Sequence, residues 1–240
     1  MPRFFCEDTQ GNTALITGED ARHIAKVLRM RTGEELTLCD TQGTDHLCRI
    51  QTVSPEAVTL EILESHPSQT EPDVFVRLYQ GIPKGDKAEL IIQKSVELGV
   101  GEIIFFESSR CVAKIDERSM EKKITRFQRI AYEAAKQCGR GKIPVVRPVL
   151  PFKQAVSEML QTDLPVLLYE NSTAPLKEVL SKPAKSIAVM VGPEGGFAPE
   201  EAAFAVEQGC HSLSLGKRIL RCETAPLAAL SVIMYQTGNL

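Results

Sequence analysis

An apolar run, Ile187 to Val191, stops abruptly at Gly192-Pro193-Glu194-Gly195-Gly196. A short apolar run bounded by turn residues reads as a buried strand entering a tight loop. Glycines let such a loop take positive φ and bring its backbone close to a ligand. Pro199, Glu200 and Glu201 then have the character of a first helical turn. A second short strand, Ser212 to Leu215, runs into another loop, Gly216 to Glu223. Thr224 can cap a last helix that carries Pro226 in its first turn. Two strand-to-loop exits so near in sequence point to one ligand site at strand carboxyl ends. A plain strand-to-helix turn of an α/β protein has the same spacing, and the spacing alone does not separate the two.

The loop chemistry narrows the ligand. A phosphate-binding loop needs Lys-Ser/Thr after its glycines, and a dinucleotide site needs G-x-G-x-x-G; neither pattern is present. Glu194 sits inside the glycine loop, where a carboxylate repels phosphate. A neutral or cationic ligand held by backbone groups fits better.

From Val74 onward, strands and helices alternate. Strands are expected at Val74–Tyr79, Glu102–Phe106 and Leu164–Tyr169. Helices are expected at Asp86–Leu98, from Arg118 to about Cys138, and at Leu176–Leu180. That alternation means a mostly parallel sheet with helices on its faces. Residues 1 to about 66 read differently. Short β-like runs, Glu35–Cys39, His46–Thr52 and Ala57–Leu63, are separated by turn material, and one helix between Glu19 and Met30 carries Ile24, Val27 and Leu28 on one side. A small β-barrel with one helix fits. The stretch Ser65 to Asp73, with two prolines and no apolar residue, reads as a linker. The expected domains are therefore 1–72 and 73–240.

Charge is distributed unevenly. The 240 residues sum to -3, so any nucleic-acid site must be local. At ~100° per residue, Met120, Ile124, Phe127, Ala131, Ala134 and Cys138 share one face of the long helix. Arg118, Lys122, Arg129, Lys136 and Arg140 fall near the other. Residues 110–147 hold 11 Lys+Arg against 4 Asp+Glu, the footprint expected for an RNA backbone. In the first domain Arg22, Lys26, Arg29 and Arg31 form one basic edge on a segment that is otherwise acidic. A solvated helix face is the competing explanation for both clusters. Seven cysteines with no CxxC pair, and four scattered histidines, read as reduced thiols and no metal site. No apolar run is long enough to cross a membrane, and the chain reads as cytoplasmic.

The two blocks GPEGGF and LSLGKRILRCETAP resemble the SPOUT superfamily of RNA methyltransferases, and within it the RsmE family, which methylates N3 of a uridine in 16S (small-subunit) ribosomal RNA. HIAKVLRMRTGEELTLCD and RFQRIAYEAAKQCGR are similar to further family segments, with Phe127 where the family has Trp. The resemblance implies an α/β chain: a C-terminal SPOUT-type knotted parallel sheet with helices on both faces, plus an N-terminal PUA-like small β-barrel. It implies S-adenosyl-L-methionine as cofactor, small-subunit ribosomal RNA as partner and a homodimer.

The cofactor residues it implies are Leu168, Tyr169, Glu170, Gly192, Pro193, Glu194, Gly195, Gly196, Leu215, Gly216, Ile219, Leu220, Thr224 and Ala225. RNA contacts fall to Arg22, Lys26, Arg29, Arg31, Arg110, Arg118, Lys122, Arg129, Lys136 and Arg218. Arg221 and Arg140 are candidates to stabilise a uridine anion, and Glu223 is either a base or a residue that holds the start of the last helix. A sister ribose 2′-O-methyltransferase and a ribosome-assembly module without activity are the competing functions. The RILRCETAP block argues against the first and the paired glycine loops against the second.

Overall fold

The computed structural model describes residues 1–6, 9–111, 117–181 and 183–240, with the side chains of residues 10 and 117–119 excepted. They form two compact units: residues 1–71 with 135–143, and residues 72–134 with 144–240.

The first unit is built on a six-stranded sheet of β1 (Arg3–Phe5), β2 (Thr9–Gln10), β3 (Thr13–Thr17), β4 (Glu35–Cys39), β5 (Thr44–Val53) and β6 (Ala57–Pro67). The spatial order is β1-β4-β5-β6-β3-β2, antiparallel except for the β1–β4 pair. It curls as a half-barrel around Phe4, Ile16, Leu36, Leu38, Ile50 and Leu60. Strand β6 runs through Ser65 to Pro67, which the sequence assigns to a linker; its outward residues need no apolar character, so pattern alone ends the strand too early.

The helix expected at 19–30 is α1 (Gly18–Arg22) continued by a π-helical turn, His23–Val27. The wider turn shifts the register. Ala21 and Ile24 are buried, whereas Val27 and Leu28 point to solvent, contrary to the expected apolar face. Residues 135–143 belong with this unit for a chemical reason. The Arg140 guanidinium closes on Glu71 through Nε (2.9 Å) and Nη2 (2.7 Å), and the Arg140 carbonyl accepts a hydrogen bond from Arg3 Nε at 3.0 Å. Lys136 pairs with Asp20 and sits 4.5 Å from the Phe4 ring centroid.

The second unit is a parallel six-stranded sheet. Its elements in chain order are β7 (Phe75–Gly81), α2 (Lys87–Glu97), β8 (Glu102–Glu107), α3 (Glu117–Cys138), β9 (Val145–Pro151), α4 (Phe152–Met159), β10 (Leu164–Leu168), α5 (Leu176–Val179), β11 (Ser186–Val191), α6 (Pro199–Gln208), β12 (His211–Leu213) and α7 (Thr224–Gln236). The strand order is β12-β10-β11-β7-β8-β9, every pair parallel. Strands buried on both faces read as continuous apolar runs, as β10 (LPVLL) and β11 (SIAVMV) do.

Helices α4 and α6 pack together, as do α2 and α7. Alternate residues of β8 serve opposite faces: Phe105 meets Phe127 of α3 at 5.4 Å between ring centroids, whereas Phe106 joins Phe152 and Phe197. Among the described residues, none of the helices is long and apolar enough to cross a membrane.

Candidate active site

The carboxyl ends of β10, β11 and β12 are adjacent because those strands are neighbours in one parallel sheet. Their exit loops enclose a cavity of about 530 Å³. One wall is the glycine loop. Its turn closes when the Gly196 N–H donates to the Pro193 carbonyl at 2.9 Å. Gly196 has φ +66°, and a Cβ there would lie 2.9 Å from Glu170 Oε1. Gly192 is confined less tightly, by the backbone of Gly196 at 3.1 Å and the ring of Phe197 at 3.2 Å. Below the loop, a Cβ on Gly81 would stand 2.5 Å from Pro193 N and Cδ, so β7 must end in glycine for the loop to sit where it does.

The loop is anchored on both sides. Phe197, which follows it, is 1% exposed and stacks on Phe106, with centroids 6.1 Å apart and planes 3° from parallel. Glu201 accepts N–H bonds from Ala198 (2.9 Å) and Ser109 (2.7 Å), fastening the start of α6. The Arg110 guanidinium donates to the Gly195 carbonyl at 3.1 Å.

The second wall is the segment between β12 and α7. Ser214 Oγ bonds both the N–H and the carbonyl of Gly216, each at 3.1 Å. Lys217, Arg218, Ile219 and Arg221 are exposed there. The Arg218 and Arg221 guanidinium groups have no hydrogen-bond or ion-pair partner among the described residues. The third wall, Leu168, Tyr169 and Glu170, follows β10.

Thus every residue expected at the cofactor lines this one cavity except Thr224, which is exposed at the first position of α7. Residues not expected also line it, among them Lys87, Phe197 and Cys222.

The electrostatics centre on Lys87. Its Nζ is 3.0 Å from Glu194 Oε1 and 3.2 Å from Glu223 Oε2. Glu194 Oε1 also accepts the Lys84 N–H at 3.0 Å, and the Cys222 thiol donates to Glu223 Oε2 at 3.2 Å. Hydrogen bonds to Glu194 and Glu223 raise the Lys87 pKa. Burial pushes each carboxyl upward, but the bonds from Lys84, Lys87, Cys222 and the backbone outweigh it and hold both below the ordinary range. Burial, then the bond to Glu223, pushes the Cys222 thiol up to about 12. The glycine loop is therefore not repulsive in the simple sense read from Glu194, since an ammonium lies against that carboxylate.

The structure separates the three residues read as catalytic. Arg221 reaches the cavity. Arg140 does not line it; its side chain is buried in the first unit and its fork is closed on Glu71. A guanidinium so paired has no open face for phosphate or a uridine anion, so Arg140 leaves the set. Glu223 is committed to Lys87 and Cys222, and it makes no side-chain cap to α7.

The residues read as RNA contacts divide as well. Arg22, Lys26, Arg29, Arg31, Arg110, Lys122, Arg129 and Arg218 are exposed. Lys136 is instead occupied by Asp20 and Phe4, for its side chain is only 11% exposed. The Arg118 side chain lies outside the described residues. Lys87 and Gly81 escape a reading of the sequence because their partners are remote along the chain. The Pro83-Lys84-Gly85 turn before α2 marks a helix start but not what it touches.

Comparison with known proteins matches two stretches of the chain. Residues 70–234 match the RNA methyltransferase domain family, and residues 16–63 match the RNA methyltransferase PUA domain family. The ribosomal RNA small subunit methyltransferase E of Bacillus subtilis is 39% identical, over 99% of this chain and 97% of its own. That of Mycobacterium bovis is 32% identical, over 95% and 88%. Among solved structures, a ribosomal RNA small subunit methyltransferase E from Neisseria gonorrhoeae bound to S-adenosyl methionine superposes with a TM-score of 0.89 at 33% identity, covering 98% of this chain and 97% of that one.

Proposed function

This chain belongs to the ribosomal RNA small subunit methyltransferase E family, and from that premise we propose that it transfers a methyl group from S-adenosylmethionine to N3 of a uridine in 16S ribosomal RNA. The observation that carries the reading is the cavity at the strand carboxyl ends, walled by a glycine loop that Gly81 lets sit against the end of β7 and in which Gly196 holds a positive φ. The residues present suit the cofactor. Leu168, Val191, Leu213 and Leu215 give an apolar lining for a purine. The Glu170 carboxylate, beside Gly196 and without a partner among the described residues, is an acceptor for hydroxyl or ammonium groups.

When bound, the cofactor supplies an electrophilic methyl carbon on a sulfonium. The chain's own task is to hold the uridine N3 in line with that carbon and to favour loss of the N3 proton. The nitrogen is a nucleophile only once the proton has left, and the charge then spreads over N3 and its flanking carbonyl groups. Arg221, an unpaired cation at the cavity rim, meets that charge. Arginine is not the base, since its pKa exceeds about 12. Glu223 is poorly suited too, because its carboxyl is held below its ordinary range.

Exposed Arg218, Lys122 and Arg129 bind phosphate groups, and the basic edge Arg22, Lys26, Arg29 and Arg31 binds others from the PUA-like unit. The reading includes a trefoil knot in the second unit and a homodimer, the latter supported by Val232 and Tyr235 of α7, 41% and 74% exposed. Work on ribosomal RNA suits a cytoplasmic protein.

The decisive experiment incubates the protein with labelled S-adenosylmethionine and small ribosomal subunits from a strain lacking the activity, then identifies the product by nucleoside mass analysis. N3-methyluridine is expected. A ribose-methylated product would assign the sister 2′-O activity, and cofactor-independent RNA binding without transfer would leave an assembly module.

A further inference from the structure

The first residue of α2 joins segments that are far apart in sequence. Lys87 Nζ lies 3.0 Å from a carboxylate oxygen of Glu194, in the glycine loop, and 3.2 Å from one of Glu223, at the end of the second loop. One ammonium thus connects two walls of the cavity, and the Lys87 side chain itself lines it. Both carboxylates carry a second bond that fixes their direction: Lys84 N–H to Glu194, and the Cys222 thiol to Glu223.

The second loop needs such an anchor. No strand or helix forms between β12 and α7, and residues 216–219 are exposed. The methyl transfer derived above has no task for Lys87. An ammonium held between two carboxylates keeps its proton, and all three groups are charged at neutral pH. Remove the ammonium and two carboxylates face one another, which drives the loops apart.

We propose that Lys87 is a positioning residue that holds the two cofactor loops in register by bridging Glu194 and Glu223. Loops that bind a ligand through their backbone recognise it only when the backbone is already placed; a pre-set pair avoids the cost of ordering at binding. The ligand's identity here rests on the methyltransferase reading, but the bridge does not.

The test compares Lys87→Met and Lys87→Arg with the parent by calorimetry with S-adenosylmethionine and S-adenosylhomocysteine, by steady-state methylation and by thermal melting. Lys87→Met should weaken binding of both ligands about tenfold. The KM for cofactor should rise by the same factor, while kcat at saturation and the melting temperature change little. Lys87→Arg should restore most of the affinity.

Glu194→Gln and Glu223→Gln provide a cycle that does not depend on the Met variant folding well. With Lys87 present, their effects on affinity should be non-additive, because both act through the same ammonium. Undiminished affinity in a folded Lys87→Met protein, a loss confined to kcat, or additivity in the presence of Lys87 would overturn the bridge. A parent protein that binds neither ligand would instead sink the methyltransferase reading.

Discussion

Arg221 and Glu223 are two positions apart and meet opposite surroundings. Glu223 is enclosed by Lys87 and Cys222, whereas the Arg221 guanidinium is exposed at the cavity and has no acidic partner among the described residues. An ion pair from Arg221 to Glu223, which would make the arginine a mere loop fastener, is therefore not formed. A cation that meets the uridine anion acts more strongly in the transition state than on neutral uridine, so its loss falls on turnover. Arg221→Ala is expected to slow single-turnover methylation on the order of 10²-fold with cofactor affinity nearly intact. Arg221→Lys should recover part of the rate if charge alone matters. Normal single-turnover rates at saturating cofactor, with affinity lost, would return Arg221 to a structural role.

The carboxylates nearby set a pH dependence. Glu194 and Glu223 are held below the ordinary 4.5. A group depressed in the folded state contributes fully above its ordinary value, and that contribution is lost as pH falls through the lower folded one. Cofactor affinity measured by calorimetry should therefore stay level from neutrality down to the ordinary carboxylate range and decline only below it. A decline centred above 4.5 would show that the carboxylates are not held as described.

At the scale of elements, the period of a helix is readable in the sequence and its commitments are not. The middle of the expected apolar face of α3 is where the 3.6-residue spacing puts it, with Phe127, Ala131 and Ala134 buried, but Cys138 at its end is exposed. The opposite basic face reads as one stripe, yet Lys136 and Arg140 turn to Asp20 and Glu71. Charge counting cannot tell a solvated lysine from a paired one when its partner is remote in the chain. Lys122 and Arg129 remain exposed. Replacing both with alanine should lower the salt slope of RNA binding by about one unit for each phosphate no longer neutralised, while Lys136→Ala should leave the slope alone and lower the melting temperature. An unchanged slope in the Lys122/Arg129 double variant would make the stripe an ordinary solvated face.

Other elements are hidden for local reasons. Strand β9 carries Pro148 and Pro151, which read as breakers. They are tolerated because β9 is an edge strand paired only with β8, and the register slips around Pro148, between the Ile104 and Phe106 partners. With β9 unrecognised, α4 behind it loses its context. The start of the first glycine loop, in contrast, falls where the sequence puts it, directly after Val191, since glycine and proline act through backbone geometry that needs no distant partner to be recognised; the strand before the second loop ends at Leu213 rather than the expected Leu215.

The whole chain carries a formal charge of -3, which gives ribosomal RNA no general attraction and leaves binding to local basic surfaces. That places weight on assembly, because two copies of a weak local surface engage one large RNA more firmly than one. Helix α7 offers the means. Its apolar sequence predicts burial all round, and one face is indeed buried through Pro226, Ala229, Leu230, Ile233 and Met234. The other face leaves Val232 and Tyr235 in solvent, and Ile219, in the loop that precedes the helix, is 86% exposed. Apolar side chains of this size stay exposed at a cost unless a partner covers them, and a second copy of the same surface suits the homodimer proposed above. In sedimentation equilibrium the parent protein is expected at twice the 26.4 kDa chain mass. A Val232→Glu/Tyr235→Glu variant should sediment as a single chain, because a self-complementary interface places each introduced carboxylate opposite apolar surface and its own mate. Its fold should survive, since neither side chain is in the core. A parent that sediments at 26.4 kDa, or a variant that keeps the doubled mass, would remove α7 from the interface.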